Sequence, residues 1–253
     1  MNEFLSGKTA VITGASGGLG RAMAVALAGA GINLALVARN PEKLRATLDA
    51  VRAAYPDAAA ETYEVDVTSE SQVADLAGTV EARFGRAQIL INSAGVNLRK
   101  PMIEFTLDEW RWVIESNLTS VFLMSRAFVP QMQGTGYGRI INLTSIMSHV
   151  SLPGRTAYSS SKAALLGFNR ALALELAADG ITVVGISPGP FATEINAAVL
   201  NNPEANAQFL TRLPVGRWGD PPEVGRLALY LCSQDAGFIT GTDIVIDGGW
   251  LAS

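Results

Sequence analysis

Residues that bind metals or form covalent cross-links are almost absent from this sequence. Its 253 residues include one cysteine, Cys232, and one histidine, His149. A single cysteine excludes a disulfide within the chain and is typical of a reducing compartment. Because Cys232 lies in an apolar segment of helical periodicity, we predict that it is a small buried side chain. Metal sites need several clustered ligands, so we predict no metal site.

Long hydrophobic runs and a large charge of one sign are also missing. No apolar run reaches the roughly 18 residues that a membrane-spanning helix needs. The first residues lack the basic-then-apolar pattern of a secretory signal. The net charge of −4 argues against nucleic acid or an anionic membrane as the main partner. We therefore expect a cytoplasmic protein that binds neither nucleic acid nor membrane.

The sequence does contain a regular alternation of two hydrophobic patterns. Hydrophobic residues make up 49% of the chain, which is enough for a large core. Short apolar segments predict strands at residues 8–14, 33–38, 60–67, 88–95, 138–145, 181–189 and 243–247. Helical periodicity predicts helices at residues 20–31, 40–55, 69–85, 107–132, 157–178 and 221–233. This order predicts one α/β domain, residues 1–253, with a doubly wound parallel sheet and helices on both faces.

A glycine-rich loop joins the first predicted strand to the first predicted helix. It reads TGASGGLG, residues 13–20, and has glycines at 14, 18 and 20. Such glycines let the backbone approach a diphosphate, whose charge meets the N-terminus of the following helix. Because the loop opens an alternating α/β chain, we predict that it binds a dinucleotide.

A tyrosine and a lysine stand one helical turn apart in YSSSK, residues 158–162. Positions i and i+4 share a helix face, so we expect the Lys162 ammonium beside the Tyr158 phenol. A nearby cation lowers the pKa of a phenol toward the range in which a general acid or base works well. Ser145 ends the fifth predicted strand, where its hydroxyl can stabilise charge on a substrate oxygen.

These motifs, in this order, resemble the short-chain dehydrogenase/reductase family over nearly the whole chain. Further matches are Asp-Val at 66–67, Asn-Ser-Ala-Gly at 92–95, Asn117, SPGPFAT at 187–193 and IDGG at 246–249. The sequence departs from the usual family pattern at Ser93 and Val184, where asparagine is common. The resemblance implies a single Rossmann-like domain that transfers hydride between a nicotinamide cofactor and a small alcohol or carbonyl compound.

The resemblance also implies roles for individual residues. Tyr158 is the general acid and base, and Ser145 holds the substrate oxygen. Lys162 binds the nicotinamide ribose and tunes Tyr158, and Asn117 holds a water that links Lys162 to solvent. The implied cofactor-binding residues are Gly14, Ser16, Gly17, Gly18, Leu19, Gly20, Asp66, Val67, Asn92, Ala94, Gly95, Tyr158, Lys162, Pro188, Gly189, Phe191 and Thr193.

The end of the second predicted strand indicates which nicotinamide cofactor is used. NAD-dependent enzymes place a carboxylate there, which binds the ribose 2′-hydroxyl. Here Ala38 holds that position and Arg39 follows. A guanidinium binds a 2′-phosphate through its paired donors. We therefore predict a preference for NADP(H), with NAD(H) as the second cofactor; the alternative is that Arg39 is a solvated surface charge.

The substrate stays open between two interpretations. One is a small sugar, polyol or sugar acid, because residues 95–105 are similar to gluconate and deoxygluconate dehydrogenases. Arg99 and Lys100 in that segment are suited to a carboxylate, although a solvated pair is the simpler alternative. The other is a 3-oxoacyl-carrier-protein reductase, which needs basic surface to dock an acidic carrier. Residues 132–138 and 176–180 contain no basic residue, so we favour the first.

Three expectations complete the sequence-based picture. Residues 192–216 resemble a mobile substrate lid, whose closure excludes water. The family resemblance implies a homotetramer. A dinucleotide sensor without activity is the alternative to an enzyme, but all four catalytic positions are intact, so we predict an enzyme.

Overall fold

The computed structural model describes residues 2–253, so Met1 of the predicted domain lies outside the described residues. Its strands are β1 (Thr9–Thr13), β2 (Asn33–Ala38), β3 (Ala60–Glu64), β4 (Ala87–Asn92), β5 (Gly138–Leu143), β6 (Ile181–Pro188) and β7 (Thr242–Ile246). All pair in parallel in one sheet of order β3-β2-β1-β4-β5-β6-β7. The predicted doubly wound parallel sheet is confirmed.

Ten α-helices occur within residues 2–253. They are α1 (Asn2–Leu5), α2 (Gly18–Ala28), α3 (Pro41–Ala54), α4 (Glu70–Phe84), α5 (Leu107–Ile114), α6 (Ser120–Met132), α7 (Thr156–Leu176), α8 (Ala197–Leu200), α9 (Pro203–Leu210) and α10 (Pro221–Cys232). No helix in this part of the chain combines the length and apolarity needed to cross a membrane.

Each face of the sheet carries one hydrophobic core, and the longer helices pack against these two cores. Successive side chains of a strand point to opposite faces, so Ile12 and Val11 of β1 enter different cores. Helices α2, α3 and α10 pack over the Ile12 face, and α4, α6 and α7 over the Val11 face. Cys232 is fully buried in the first core, as predicted.

The strand order reverses between β1 and β4, and a crevice opens at their carboxyl ends. Such switch points are where open α/β sheets bind ligands. The Thr13 hydroxyl, at the end of β1, accepts hydrogen bonds from the backbone N–H groups of Ser93 and Ala94, at 3.0 and 3.1 Å. The glycine loop after β1 and the small-residue loop after β4 are thereby held side by side.

The prediction of one continuous helix over residues 107–132 is wrong, because the helix is interrupted. Helix α5 ends at Ile114, and a π-helical turn, Glu115–Thr119, separates it from α6. The break does not fall at Pro130, which lies in the last turn of α6. Wide turns of this kind are frequent at functional sites, and this one contains Asn117.

The predicted lid segment contains two short helices that the sequence pattern did not reveal. Helices α8 and α9 lie between β6 and α10, and Asn202 caps α9 by accepting from the Ala205 N–H at 3.1 Å. Phe209 of α9 stacks on Trp218 with ring centroids 4.6 Å apart. It also contacts the tilted ring of Trp250, with centroids 5.0 Å apart. The aromatic contacts join this segment to the C-terminal turn of the chain.

Candidate active site

The loop between β1 and α2 forms a cradle that only glycine fits. Gly14 and Gly18 have φ of 65° and 51°, in the left-handed region that disfavours other side chains. A Cβ at Gly14 would lie 2.7 Å from the Ala94 nitrogen, and one at Gly20 only 2.3 Å from the Gly14 oxygen. Glycine at these positions therefore lets the loop pack tightly against the loop after β4 and against its own first turn.

The N-terminus of α2 is suited to bind an anion. No side chain caps the helix at Gly17, and its first turn has no acidic residue. Its first N–H groups therefore have no intrahelical partner, and the helix dipole adds partial positive charge. A diphosphate satisfies both features, so these residues fit the nicotinamide dinucleotide that the sequence predicts.

One cavity of about 430 Å³ runs from this loop to the end of β5. Its wall includes fifteen of the predicted site residues: Gly14, Ser16, Gly17, Gly18, Leu19, Gly20, Ala94, Gly95, Ser145, Tyr158, Lys162, Pro188, Gly189, Phe191 and Thr193. The other predicted residues lie outside its lining: Arg39, Asp66, Val67, Asn92 and Asn117. The structure thus brings the glycine cradle and three of the four predicted catalytic side chains onto one surface.

Ser145 and Tyr158 lie next to each other on the cavity wall. Ser145 caps a 3₁₀ turn, Ile146–Ser148, and its hydroxyl accepts from the Met147 N–H at 3.1 Å. Burial raises the pKa of Tyr158, while its hydrogen bond with Ser145 and the charges of Arg155 and Arg99 act in the opposite direction. The net direction is upward, so the phenol is protonated at neutral pH and can donate.

Lys162 lies one turn after Tyr158 on α7, as the spacing predicts. The Lys162 Nζ lies 6.0 Å from the centre of the Tyr158 ring and donates to the Leu143 carbonyl at 2.5 Å. Burial lowers the pKa of Lys162 to about 8. The arginines, rather than Lys162, are the cations that counteract burial at Tyr158. The expected lowering of the Tyr158 pKa is not found, because burial outweighs the nearby positive charges; the role of Lys162 in catalysis stays a prediction.

Asn117 is fully buried behind Gly95 rather than on the cavity wall. Its Oδ1 accepts from the Val96 N–H at 2.7 Å, and its Nδ2 donates to the Val96 carbonyl at 2.9 Å. Nδ2 also donates to the Ser161 hydroxyl, at 3.0 Å. Asn117 therefore fixes the loop after β4 to the helix that carries Tyr158 and Lys162.

The residues predicted to contact the adenine and its ribose lie at or just after the carboxyl ends of β2, β3 and β4. Thr68 donates to Asp66 Oδ1 from its N–H at 3.0 Å and its hydroxyl at 2.8 Å. Although burial works against it, these hydrogen bonds and the charge of Arg39 hold the pKa of Asp66 below its ordinary value. Arg39 is exposed, Val67 is buried, and the Asn92 side chain donates to Asn142 Oδ1 at 2.8 Å, inside the sheet.

Sequence reasoning missed an ion pair that closes one end of the cavity. Lys43, in the first turn of α3, donates to Glu194 at 2.8 Å, and both line the cavity. Glu194 also lies over the glycine cradle, 3.7 Å from where a Cβ at Gly17 would be. The two residues are 151 positions apart, so no local pattern links them.

Sequence reasoning also missed a carboxylate that supports Ser145 from the edge of the sheet. The Thr144 hydroxyl donates to Asp243 Oδ1 at 2.5 Å, and His149 Nε2 lies 2.8 Å from Asp243 Oδ2. The Ser187 hydroxyl donates to the Ser145 carbonyl at 2.9 Å. The only histidine thus contacts Asp243 and is not part of the cavity wall.

Two further basic residues lie near the catalytic side chains in different surroundings. Lys100, expected to be suited to a carboxylate, is already paired with Glu109 at 2.7 Å. Arg155, which the sequence did not single out, lines the cavity together with Arg99. Within residues 2–253, no three His, Cys, Asp or Glu side chains are placed to hold a metal ion.

Comparisons with known proteins agree with this geometry. Residues 14–251 match the family described as enoyl-(acyl carrier protein) reductase. Acetoacetyl-CoA reductase of Rhizobium meliloti is 40% identical over 96% of this chain and 98% of that protein. D-beta-hydroxybutyrate dehydrogenase of the same organism is 36% identical over 97% and 99%. Gluconate 5-dehydrogenase of Gluconobacter oxydans is 33% identical over 97% and 95%.

Solved structures show the same fold. One described as a gluconate dehydrogenase from Agrobacterium tumefaciens has a TM-score of 0.94 at 36% identity, with 98% of both chains covered. Another, described as an NAD(P)-dependent gluconate 5-dehydrogenase from Beutenbergia cavernae with bound NADP, has a TM-score of 0.90 at 35% identity, again with 98% of both chains covered.

A Rossmann-like sheet with this cradle and this tyrosine defines a nicotinamide-dependent oxidoreductase. The chain belongs to the short-chain dehydrogenase/reductase family, as its motifs predicted, and is an NAD(P)-dependent enzyme of that family.

Proposed function

We propose that this enzyme interconverts a secondary alcohol and a ketone, prefers NADP(H), and acts on a small sugar, polyol or sugar acid. The observation that best supports the reaction is that Ser145, Tyr158 and Lys162 line one cavity with the glycine cradle. When bound, the nicotinamide supplies or accepts the hydride at the reacting carbon.

The side chains of the site handle the proton. In reduction, Tyr158 donates its phenolic proton to the substrate oxygen, and the Ser145 hydroxyl stabilises the charge that develops there. In oxidation the same groups act in reverse. Lys162, with a pKa of about 8, exchanges a proton near neutral pH more readily than an exposed lysine. The water through which that proton returns from solvent would be held by the backbone of Asn117, because its side-chain amide is already bonded to Val96 and Ser161.

Charge at the end of β2 supports the preference for NADP(H). Arg39 is exposed and, within residues 2–253, forms no salt bridge with a carboxylate. Ala38 provides no carboxylate to repel a 2′-phosphate. A solved neighbour holds NADP. NAD(H) remains the second cofactor.

Neighbours described as gluconate dehydrogenases support a sugar or sugar-acid substrate. Gluconate 5-dehydrogenase of Gluconobacter oxydans covers nearly the whole chain as well. The turn after α6, at residues 133–136, and the end of α7 lack the basic residues that an acidic carrier protein needs.

The alternative substrate is a 3-oxoacyl thioester, including that of a carrier protein. Its support is the 40% identity to an acetoacetyl-CoA reductase. A dinucleotide sensor without turnover is the further alternative, and the placement of Tyr158, Ser145 and Lys162 on one cavity argues against it.

We further propose that residues 192–216 act as the substrate lid and that the enzyme is a cytoplasmic homotetramer. Val199 and Phe209 of this segment line the cavity, so its movement would open or close the site.

On the outer helices, Phe122 of α6 is 45% exposed and Leu174 of α7 is 83% exposed. Such apolar side chains are suited to a subunit interface.

A nicotinamide absorbance assay tests the proposal. It crosses NADP(H) and NAD(H) with gluconate, 5-ketogluconate, several polyols and ketoses, and acetoacetyl-CoA. Turnover of sugar compounds, faster with NADP(H), is the expected result. Turnover of the thioester alone would assign the enzyme to oxoacyl reduction, and tight cofactor binding without turnover would favour the sensor.

A further inference from the structure

Two arginines reach the catalytic end of the cavity from different parts of the chain. Arg99 lies in the loop after β4, and Arg155 immediately precedes α7, three residues before Tyr158. Both line the cavity. The Lys100 N–H donates to the Gly154 carbonyl at 3.2 Å, so the backbones next to the two arginines are tied together.

These arginines have no negative partner in the protein. Within residues 2–253, neither forms a salt bridge or a hydrogen bond with a carboxylate. The charged side chains on the cavity wall are Lys43, Arg99, Arg155, Lys162 and Glu194. The single carboxylate, Glu194, is bound to Lys43 at the glycine end. The catalytic end of the cavity therefore carries only positive charge.

That arrangement is unfavourable for the protein alone. Arg155 is half-buried, and burial together with the charge of Arg99 lowers its pKa. Like charges held close together without a counter-charge destabilise the folded chain. A ligand anion between them removes the repulsion and gains charge-assisted hydrogen bonds.

We propose that Arg99 and Arg155 form an anion site for the substrate, and that the natural substrate is a small hydroxy acid or oxo acid bound through its free carboxylate. This inference rests on the proposed alcohol–ketone reaction, and it selects sugar acids and other short acids over neutral sugars and polyols. Arg155 would then set substrate specificity, a role that the sequence did not suggest.

The occupant is a carboxylate of the substrate because of where the site lies and how large it is. The cofactor diphosphate belongs to the glycine cradle, at the other end of the cavity. Arg155 stands three residues before Tyr158, and both line the cavity, so an anion bound at Arg155 lies near the reacting carbon. The same cavity also has to hold the cofactor, so a small acid suits its catalytic end better than a bulky substrate. A guanidinium presents a planar fork of donors that matches a carboxylate.

Pairs of compounds that differ only in the carboxylate measure how much that group contributes. Acetoacetate and methyl acetoacetate share one ketone and differ in that charge. So do 5-ketogluconate and L-sorbose, in which a hydroxymethyl group replaces the carboxylate. The variants are Arg99→Gln, Arg155→Gln and Arg155→Lys. The control is Arg86→Gln, an exposed arginine just before β4, at the amino-terminal ends of the strands and so opposite the cavity.

Each glutamine variant should lower kcat/KM for the acid about 10-fold to 100-fold, as expected for loss of a hydrogen bond between charged groups. The matched neutral compound should change less than about threefold, and Arg155→Lys should recover part of the loss. The control should leave both unchanged. Equal losses for acid and neutral compound would overturn the anion site while leaving the proposed reaction intact.

A binding measurement separates this inference from the proposed function. Calorimetry of the NADPH-bound enzyme with gluconate, which cannot be oxidised in that complex, should show binding that Arg155→Gln weakens at least about 10-fold. Sorbitol, its neutral counterpart, should bind more weakly and show no dependence on Arg155. This result would support the site even if no sugar acid were turned over. Loss of acetoacetyl-CoA turnover in the variants, with unchanged gluconate binding, would assign the arginines to the coenzyme phosphates and overturn the proposal.

Discussion

Replacing Lys162 with methionine should abolish activity and make the protein more stable at neutral pH. Burial lowers the pKa of Lys162 from its ordinary 10.5 to about 8. At 1.36 kcal/mol per pH unit, that shift corresponds to about 3 kcal/mol by which folding disfavours the charged form. Methionine has a similar length and no charge. It cannot donate the hydrogen bond to the Leu143 carbonyl, and this loss offsets about 1 kcal/mol of the stabilisation.

The unfolding free energy of Lys162→Met should therefore exceed that of the wild type by about 2 kcal/mol at neutral pH. This difference changes with pH. Below pH 8 both the folded and the unfolded chain carry the Lys162 proton, so the penalty is fully present. Between about 8 and 10.5 the unfolded chain binds the proton more tightly, so the wild type gains stability as pH rises. The advantage of Lys162→Met should therefore shrink over that interval.

Thermal unfolding at fixed protein concentration, without cofactor, measures this difference. At pH 7 the Tm of Lys162→Met should exceed that of the wild type by roughly 4–8 °C, and by pH 10 most of the difference should be gone. Tyr158→Phe is the matched control, because it removes a catalytic group and leaves the buried cation in place. A Lys162→Met variant that melts at or below the wild-type temperature at pH 7, or whose difference is the same at pH 10, would refute the reasoning.

Three further changes test other parts of the site. Arg39→Asp should lower the NADPH-to-NADH ratio of kcat/KM at least about 10-fold, through loss of the phosphate contact and new repulsion; an unchanged ratio would make Arg39 a surface charge. Asn117→Ala removes three hydrogen bonds and should lower unfolding free energy by about 1–3 kcal/mol and reduce kcat; wild-type values of both would contradict its positioning role. Asp243→Asn, which keeps the shape but weakens the contact to Thr144, should reduce kcat about 10-fold with little change in KM; unaltered kcat and pH profile would make this network purely structural.

Local chemistry explains what the sequence predicted well. Strand and helix periodicities are properties of neighbouring residues, so the strand–helix order was readable and with it the sheet. The glycine cradle was also readable, because the φ of Gly14 and the close approach at Gly20 admit no other residue. The one-turn spacing of Tyr158 and Lys162 follows directly from helix geometry.

Features that depend on distant contacts were not readable. The π-helical turn exists where Asn117 turns inward to bind Val96, 21 residues earlier. The pairing of His149 with Asp243 spans 94 residues, and the presence of Arg155 and Arg99 on one cavity wall depends on two loops that the fold brings together. No pattern within one segment contains that information.

The pKa of Tyr158 is another property that could not be predicted from neighbouring residues. The sequence revealed a cation one turn away and predicted a lower pKa, but burial depends on the whole fold and raises the pKa instead. The charges that oppose burial come from arginines. One of them, Arg155, had no signal of its own beyond its position near the tyrosine.

The most direct test of the proposed chemistry is the turnover of Tyr158→Phe, measured alongside its affinity for NADPH. The variant keeps the ring and loses only the hydroxyl that donates the proton. We predict a fall in kcat of about 10² to 10⁴, with a cofactor Kd within about threefold of the wild type, because the glycine cradle is untouched. Near-normal turnover with intact cofactor binding would show that Tyr158 is not the general acid and base, and would contradict the proposed mechanism.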